Sequence, residues 1–228
     1  MKPGIGNRES GTVAARRLRR LARAAGAALL AATLAGCALL GGGERGEFTL
    51  YAPDPRMPAD PAWPSVDWQL SLGPPSAARV LDSYRIAVRP TPGELQVYKG
   101  ARWAKTPTDM LQDALLRTLE DSGRIGAVAR QGTGVAADYK LVLDLRRFEA
   151  DYAGSALPAA TIEVNAKLLH AVDQDIVASR TFLRAEPAAG TDVAQVSDAF
   201  TRSLGQLSQD IAGWVLVTGA AHDGTAHP

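Results

Sequence analysis

A chain of 228 residues with 46% hydrophobic side chains can bury a substantial core, which excludes wholesale disorder. Its 25 basic residues stand against 24 acidic ones, a formal charge of +1, which marks neither a nucleic-acid binder nor an acidic-tail protein. Cys37 is the single cysteine, so an internal disulfide and a cysteine-rich zinc site are both excluded.

The charge is unevenly placed. Residues 1–36 hold seven basic side chains and one acid, which leaves residues 37–228 with about −5. A basic cluster at residues 16–23 precedes an apolar run of about 11–13 residues, well short of the roughly 20 a membrane-spanning helix needs. A basic region, a short apolar region and small residues before a cut form the pattern of a secretory signal peptide, here residues 1–36. Leu34-Ala35-Gly36-Cys37 resembles the bacterial lipobox, whose cysteine thiol receives a diacylglycerol before cleavage on its N-terminal side. The expected adducts are that diacylglycerol and an N-acyl chain on Cys37, with no separate cofactor. One acyl chain binds a bilayer only marginally, whereas two or three anchor stably. Ala38, where an Asp would signal retention, favours by resemblance to enterobacterial sorting the periplasmic face of the outer membrane over the outer leaflet of the inner one.

Residues 37–47, with Gly41-Gly42-Gly43, read as a flexible tether. The folded body is expected over residues 48–217, and the polar residues 218–228 as a disordered tail. Residues 48–51 and 67–70 fit short strands, separated by a proline-rich irregular stretch at 57–64, and Gly73-Pro74-Pro75 is a second break. Residues 83–89 form a strand that stops at Pro90; after the Pro92-Gly93 turn the chain returns through 94–98. Residues 106–122 make a helix, capped by Thr106, with Pro107 at its first position and Gly123 at its end.

Residues 125–130 fit one more strand. Residues 138–148 then alternate Tyr139, Leu141, Leu143 and Leu145 against Lys140, Asp144 and Arg146. Residues 160–170 alternate Ile162, Val164, Ala166 and Leu168 against Glu163, Asn165 and Lys167, and 176–185 return as the hairpin partner. Such patterns belong to a sheet with one buried and one wet face. The last element, residues 192–216, carries a helical stripe of Val193, Val196, Phe200, Leu204, Leu207, Ile211 and Trp214. That stripe either covers the sheet or docks a partner. The expected fold is α+β: a mixed or antiparallel sheet with two helices on one face.

Chemistry is sparse. Gly132-Thr133-Gly134-Val135-Ala136-Ala137 matches a loose dinucleotide fingerprint, but a strand follows it where a phosphate-binding helix would be needed. His170, His222 and His227 lack ligand spacing, so no metal is expected, and no nucleophile elbow occurs. Catalytic residues are therefore not nominated, and the protein is expected not to be an enzyme. The segment Tyr98-Lys99-Gly100-Ala101-Arg102-Trp103 reads as a loop joining two aromatics and two cations. Trp103 there either plugs the core or, with Tyr98 and Arg102, forms a partner-binding hot spot.

The pieces fall in a familiar order. Tyr84-Arg85-Ile86-Ala87-Val88, Val97 through Trp103, Met110-Leu111-Gln112, Ala137 through Leu141 with Phe148-Glu149, Ala178 through Phe182, and Ala199-Phe200 through Trp214 together resemble the ABC-type transport auxiliary lipoproteins, including PqiC-like lipoproteins. The resemblance implies a non-enzymatic accessory subunit of an envelope lipid-transport system, partnered by MCE-domain and ABC-transporter subunits. Phospholipid binding and a homo-oligomer are further possibilities it raises, and nucleic acid is not expected. A direct lipid carrier and a Tol-like envelope scaffold are the competing readings.

Overall fold

The computed structural model describes residues 48–134 and 136–226. Cys37, the signal peptide at 1–36 and the tether at 37–47 lie outside the described residues. The strands are β1 (Thr49–Tyr51), β2 (Val66–Leu72), β3 (Ser76–Ala77), β4 (Arg85–Arg89), β5 (Gln96–Trp103), β6 (Ile125–Arg130), β7 (Tyr139–Asp151), β8 (Ala159–His170) and β9 (Ile176–Pro187). Two helices accompany them, α1 (Pro107–Ser122) and α2 (Val193–Ala226). The fold is α+β, with a mixed sheet and two helices.

The sheet is organised around β7. One edge of β7 pairs antiparallel with β8 along its whole length, Tyr139 against His170 through Asp151 against Ala159. Its other edge is divided among three parallel partners: β2 at Tyr139–Leu141, β3 at Asp144 and Leu145, and β4 at Ala150 and Asp151. Beyond that edge the sheet forks, β2 continuing to β6 and β4 continuing to β5 and β1. On the opposite side β8 pairs with β9, whose second edge has no strand partner among the described residues.

Alternation decides which face is buried. Trp68, Leu70 and Leu72 of β2, Tyr139, Leu141, Leu143 and Leu145 of β7, and Ile162, Val164, Ala166 and Leu168 of β8 are all buried. The helices cover this face, α2 over β8 and β9, α1 beside β6 and against α2. Thr106 Oγ1 accepts a hydrogen bond from Asp109 N at 3.3 Å and caps α1, and Gly123 ends it in the left-handed region at φ 61°.

Two expectations need correction. A disordered tail is expected over residues 218–228, but within it residues 218–226 continue α2 to Ala226. A docking site for the extra turns explains this: Gly219 packs on the Trp68 ring, and the His222 ring meets Tyr139, whose hydroxyl lies 2.9 Å from His222 Nδ1. The segment 98–103, expected as a loop, is the last six residues of the eight-residue β5, which pairs with both β1 and β4. Gly100, at φ 67°, takes up the irregular register between β4 and β5, so the strand survives a break that composition suggested would end it.

Candidate functional site

The three nominated side chains of β5 do not converge. Trp103 is 1% exposed and sits in the core, 5.8 Å from the Phe148 ring and 5.1 Å from Phe200, with Phe148 and Phe200 stacked at 4.8 Å. It is a core plug, and a partner cannot reach it in this conformation. The pleat explains why: Trp103 pairs with Tyr51 on the helix-covered face, while Arg102 pairs with Leu50 on the other. Tyr98 is partly buried and packs against the core, and burial pushes its hydroxyl well above the usual phenol value. Arg102 alone is exposed, its guanidinium 3.9 Å from the centroid of the Phe48 ring.

A groove of about 490 Å³ opens at the other end of the molecule, between β9, α2 and the segment before β2. Its apolar floor comes from Trp63, Phe182 and Trp214, the last two meeting edge-to-face at 5.7 Å. Arg180 reaches over the Phe182 ring at 4.9 Å, and Arg184 is held by Asp210, Nε to Oδ2 2.6 Å, at the rim. Register explains the alignment: Arg180, Phe182 and Arg184 oppose Ala166, Val164 and Ile162 of β8 and so share the helix-facing side. The groove thus combines an aromatic floor, a cation without an ion-pair partner among the described residues, and the unpaired edge of a twelve-residue strand. Trp214 belonged to the α2 stripe and was legible as apolar. Nothing in the spacing of Trp63 and Arg180 links them to it, because the groove joins segments more than 100 residues apart in sequence.

A smaller cavity of about 270 Å³ lies between α1 and residues 52–55. Its charges are already matched: Asp113 pairs with Lys105 and Arg130 at 2.5 Å each, and Arg117 with Asp54. Burial would raise the Asp113 carboxyl, but the hydrogen bonds from Lys105 and Arg130 hold it below the ordinary range. The two histidines read as unrelated are in fact neighbours, His170 and His222 lying 5.3 Å apart beside Tyr139, with His170 Nδ1 3.1 Å from Asp173. Among the described residues no group of three or more His, Cys, Asp or Glu is placed to hold a metal ion.

The family model of the ABC-type transport auxiliary lipoprotein component matches residues 48–212. The chain belongs to that family. The match starts one residue before β1 and ends within α2, so the family domain of this auxiliary lipoprotein takes in the whole sheet, all of α1 and the first part of α2. Among solved structures, protein XCC0632 from Xanthomonas campestris is 57% identical, with a TM-score of 0.75 over 77% of this chain and 99% of that one. A second solved structure, of an uncharacterized protein, shares the fold at 16% identity and a TM-score of 0.56 over 72% of this chain and 97% of that one. The uncharacterized protein bll6063 of Bradyrhizobium diazoefficiens is 26% identical over 186 residues, 78% of this chain and 48% of the relative. The auxiliary lipoprotein therefore spans about half the length of that curated relative.

Proposed function

We propose that this auxiliary lipoprotein is a non-enzymatic accessory subunit of an ABC/MCE-type envelope phospholipid-transport system. In this reading, a diacylglycerol and an N-acyl chain on Cys37 hold it at the periplasmic face of the outer membrane, and the folded body docks a partner transport subunit. The observation that carries the reading is the family match over residues 48–212, standing eleven residues behind a cysteine in a Leu-Ala-Gly-Cys context. An accessory subunit needs an anchor and a grip. The lipobox supplies the first, and the β9 groove has the makings of the second. An extended segment of an MCE-type or ABC subunit would add to the free edge of β9 and set an apolar side chain on the Trp63–Phe182–Trp214 floor.

A lipid carrier would need an apolar chamber. Among the described residues, Trp103, Phe148 and Phe200 instead fill the space between sheet and helices, which favours the docking reading.

The test is co-purification from envelope extract with the acylated full-length chain as bait. Recovery of an MCE-type or ABC-transporter subunit is expected, and recovery of only peptidoglycan-associated or outer-membrane proteins would turn the reading towards a scaffold. Trp214→Ala in the bait should reduce partner recovery by about tenfold or more, the scale of a truncated aromatic anchor.

A further inference from the structure

Three observations meet at the β1 end of the sheet, on the face opposite the helices. The first is charge. Arg85 of β4 and Arg102 of β5 are direct cross-strand partners and both are exposed, yet neither forms an ion pair with a described residue. Like charges directly opposite one another destabilise a sheet. An anion lying across the two guanidinium groups would remove that penalty.

The second is apolar exposure in the same place. Leu50, which registers against Arg102, is 64% exposed, and Phe48, two residues earlier, is 49% exposed. Val97, opposite Ala87, is also exposed. The Arg102 guanidinium lies over the Phe48 ring, so cation and apolar groups form one surface. The third is connectivity. Phe48 follows Cys37 by eleven residues, a reach of at most about 40 Å for extended chain.

We propose that the β4–β5–β1 face lies against a membrane surface of anionic phospholipid. Phe48 and Leu50 sit at the headgroup boundary, and Arg85 and Arg102 contact lipid phosphates. The reach argument rests on an acylated Cys37, but the face itself does not. Residues 37–228 carry about −5 overall, so an anionic bilayer repels the rest of the body and orients it with this face leading. β9 and its groove, reached through β8 on the other side of β7, then face away from the lipid. Each arginine near an anionic surface is worth about a fivefold shift in contact.

The experiment uses the full chain carrying Leu50→Trp, purified from membranes as the cell makes it. It is placed on vesicles of brominated phosphatidylcholine, with or without about one quarter phosphatidylglycerol. Quenching of the added indole reads contact, and the parent chain supplies the baseline from Trp63, Trp68, Trp103 and Trp214. Quenching should appear on the phosphatidylglycerol vesicles and fall about thirtyfold in contact constant with Arg85→Gln and Arg102→Gln together, whereas Arg202→Gln, at an exposed position of α2, should leave it unchanged. If the double variant loses its circular dichroism spectrum, loss of quenching at about 0.5 M salt with the folded parent provides the same test. Equal quenching on neutral and anionic vesicles, or none on either, overturns the proposal. Intact mass of the same preparation reports acylation separately. A chain without fatty chains sinks the anchor, while the quenching on anionic vesicles still decides the face.

Discussion

Glu149 is fully buried, alone among the charged side chains of the described residues, and its partners explain how it is tolerated. Arg89 grips it with two hydrogen bonds of 2.8 and 2.9 Å, Arg147 adds a third at 2.8 Å, and Arg147 also reaches Asp151. Burial would push the Glu149 carboxyl up, but the two guanidinium groups outweigh it and hold the group below the ordinary glutamate value. A carboxyl lowered on folding contributes stability that is complete above its unfolded value and disappears as pH falls through the folded one. Thermal stability should therefore be flat from about pH 7 to 5 and decline below about pH 4.3, with Asp113 contributing in the same direction. Glu149→Ala should cost about 3 kcal/mol near neutral pH, since it strands two arginines, and should flatten the acid slope in a denaturation series. Trp103→Ala should cost about 3–5 kcal/mol by chemical denaturation. If that variant were as stable as the parent and lost only partner binding, the core placement of Trp103 would be wrong.

Helix α2 shows why element boundaries need more than periodicity. Its apolar stripe was readable because residues three and four apart share a helix face, and Val196, Phe200, Leu204, Leu207 and Ile211 are indeed fully buried. The opposite side was not readable. Gly205, Gly213 and Gly219 each cost about 1 kcal/mol of helix propensity relative to alanine, and sequence gives no reason for them. The structure does: a Cβ at Gly213 would stand 2.6 Å from the Trp63 ring nitrogen, one at Gly219 2.4 Å from the Trp68 ring, and one at Gly205 3.0 Å from Met57. The irregular stretch before β2 thus covers the outer side of α2 and is admitted by its glycines. Gly219→Ala should destabilise by about 1–3 kcal/mol despite its better propensity, a sign reversal that thermal melting would detect. Removing residues 218–228 should cost about 1–2 kcal/mol by the same measurement, because Tyr139 and Trp68 lose their cover.

At the scale of the whole molecule, two edges of the sheet on opposite sides of β7 divide the proposed work, lipid at β1 and partner at β9. Cys37→Ser should leave a folded body that is released from, or unprocessed at, the membrane, and fractionation with intact mass would check it. Unchanged membrane retention with the serine would show that something other than an acyl chain holds the protein.

Elements and their buried faces were legible because alternation and helical spacing are local consequences of backbone geometry, and the cap at Thr106 and the stop at Gly123 depend on single residues in turn. The family order was legible for the same reason, as a succession of local segments. Which side of β5 carries Trp103, the meeting of His170 with His222, and the groove joining Trp63, Arg180 and Trp214 depend on pairing between segments distant in the chain, and no local pattern encodes that pairing. Sequence alone determined the Leu-Ala-Gly-Cys pattern, the long alternating strands and the apolar stripe of α2. Only the tertiary structure decided what is surface and what is core among the aromatic and cationic residues, since burial is a property of the packed sheet and helices together and of no segment by itself.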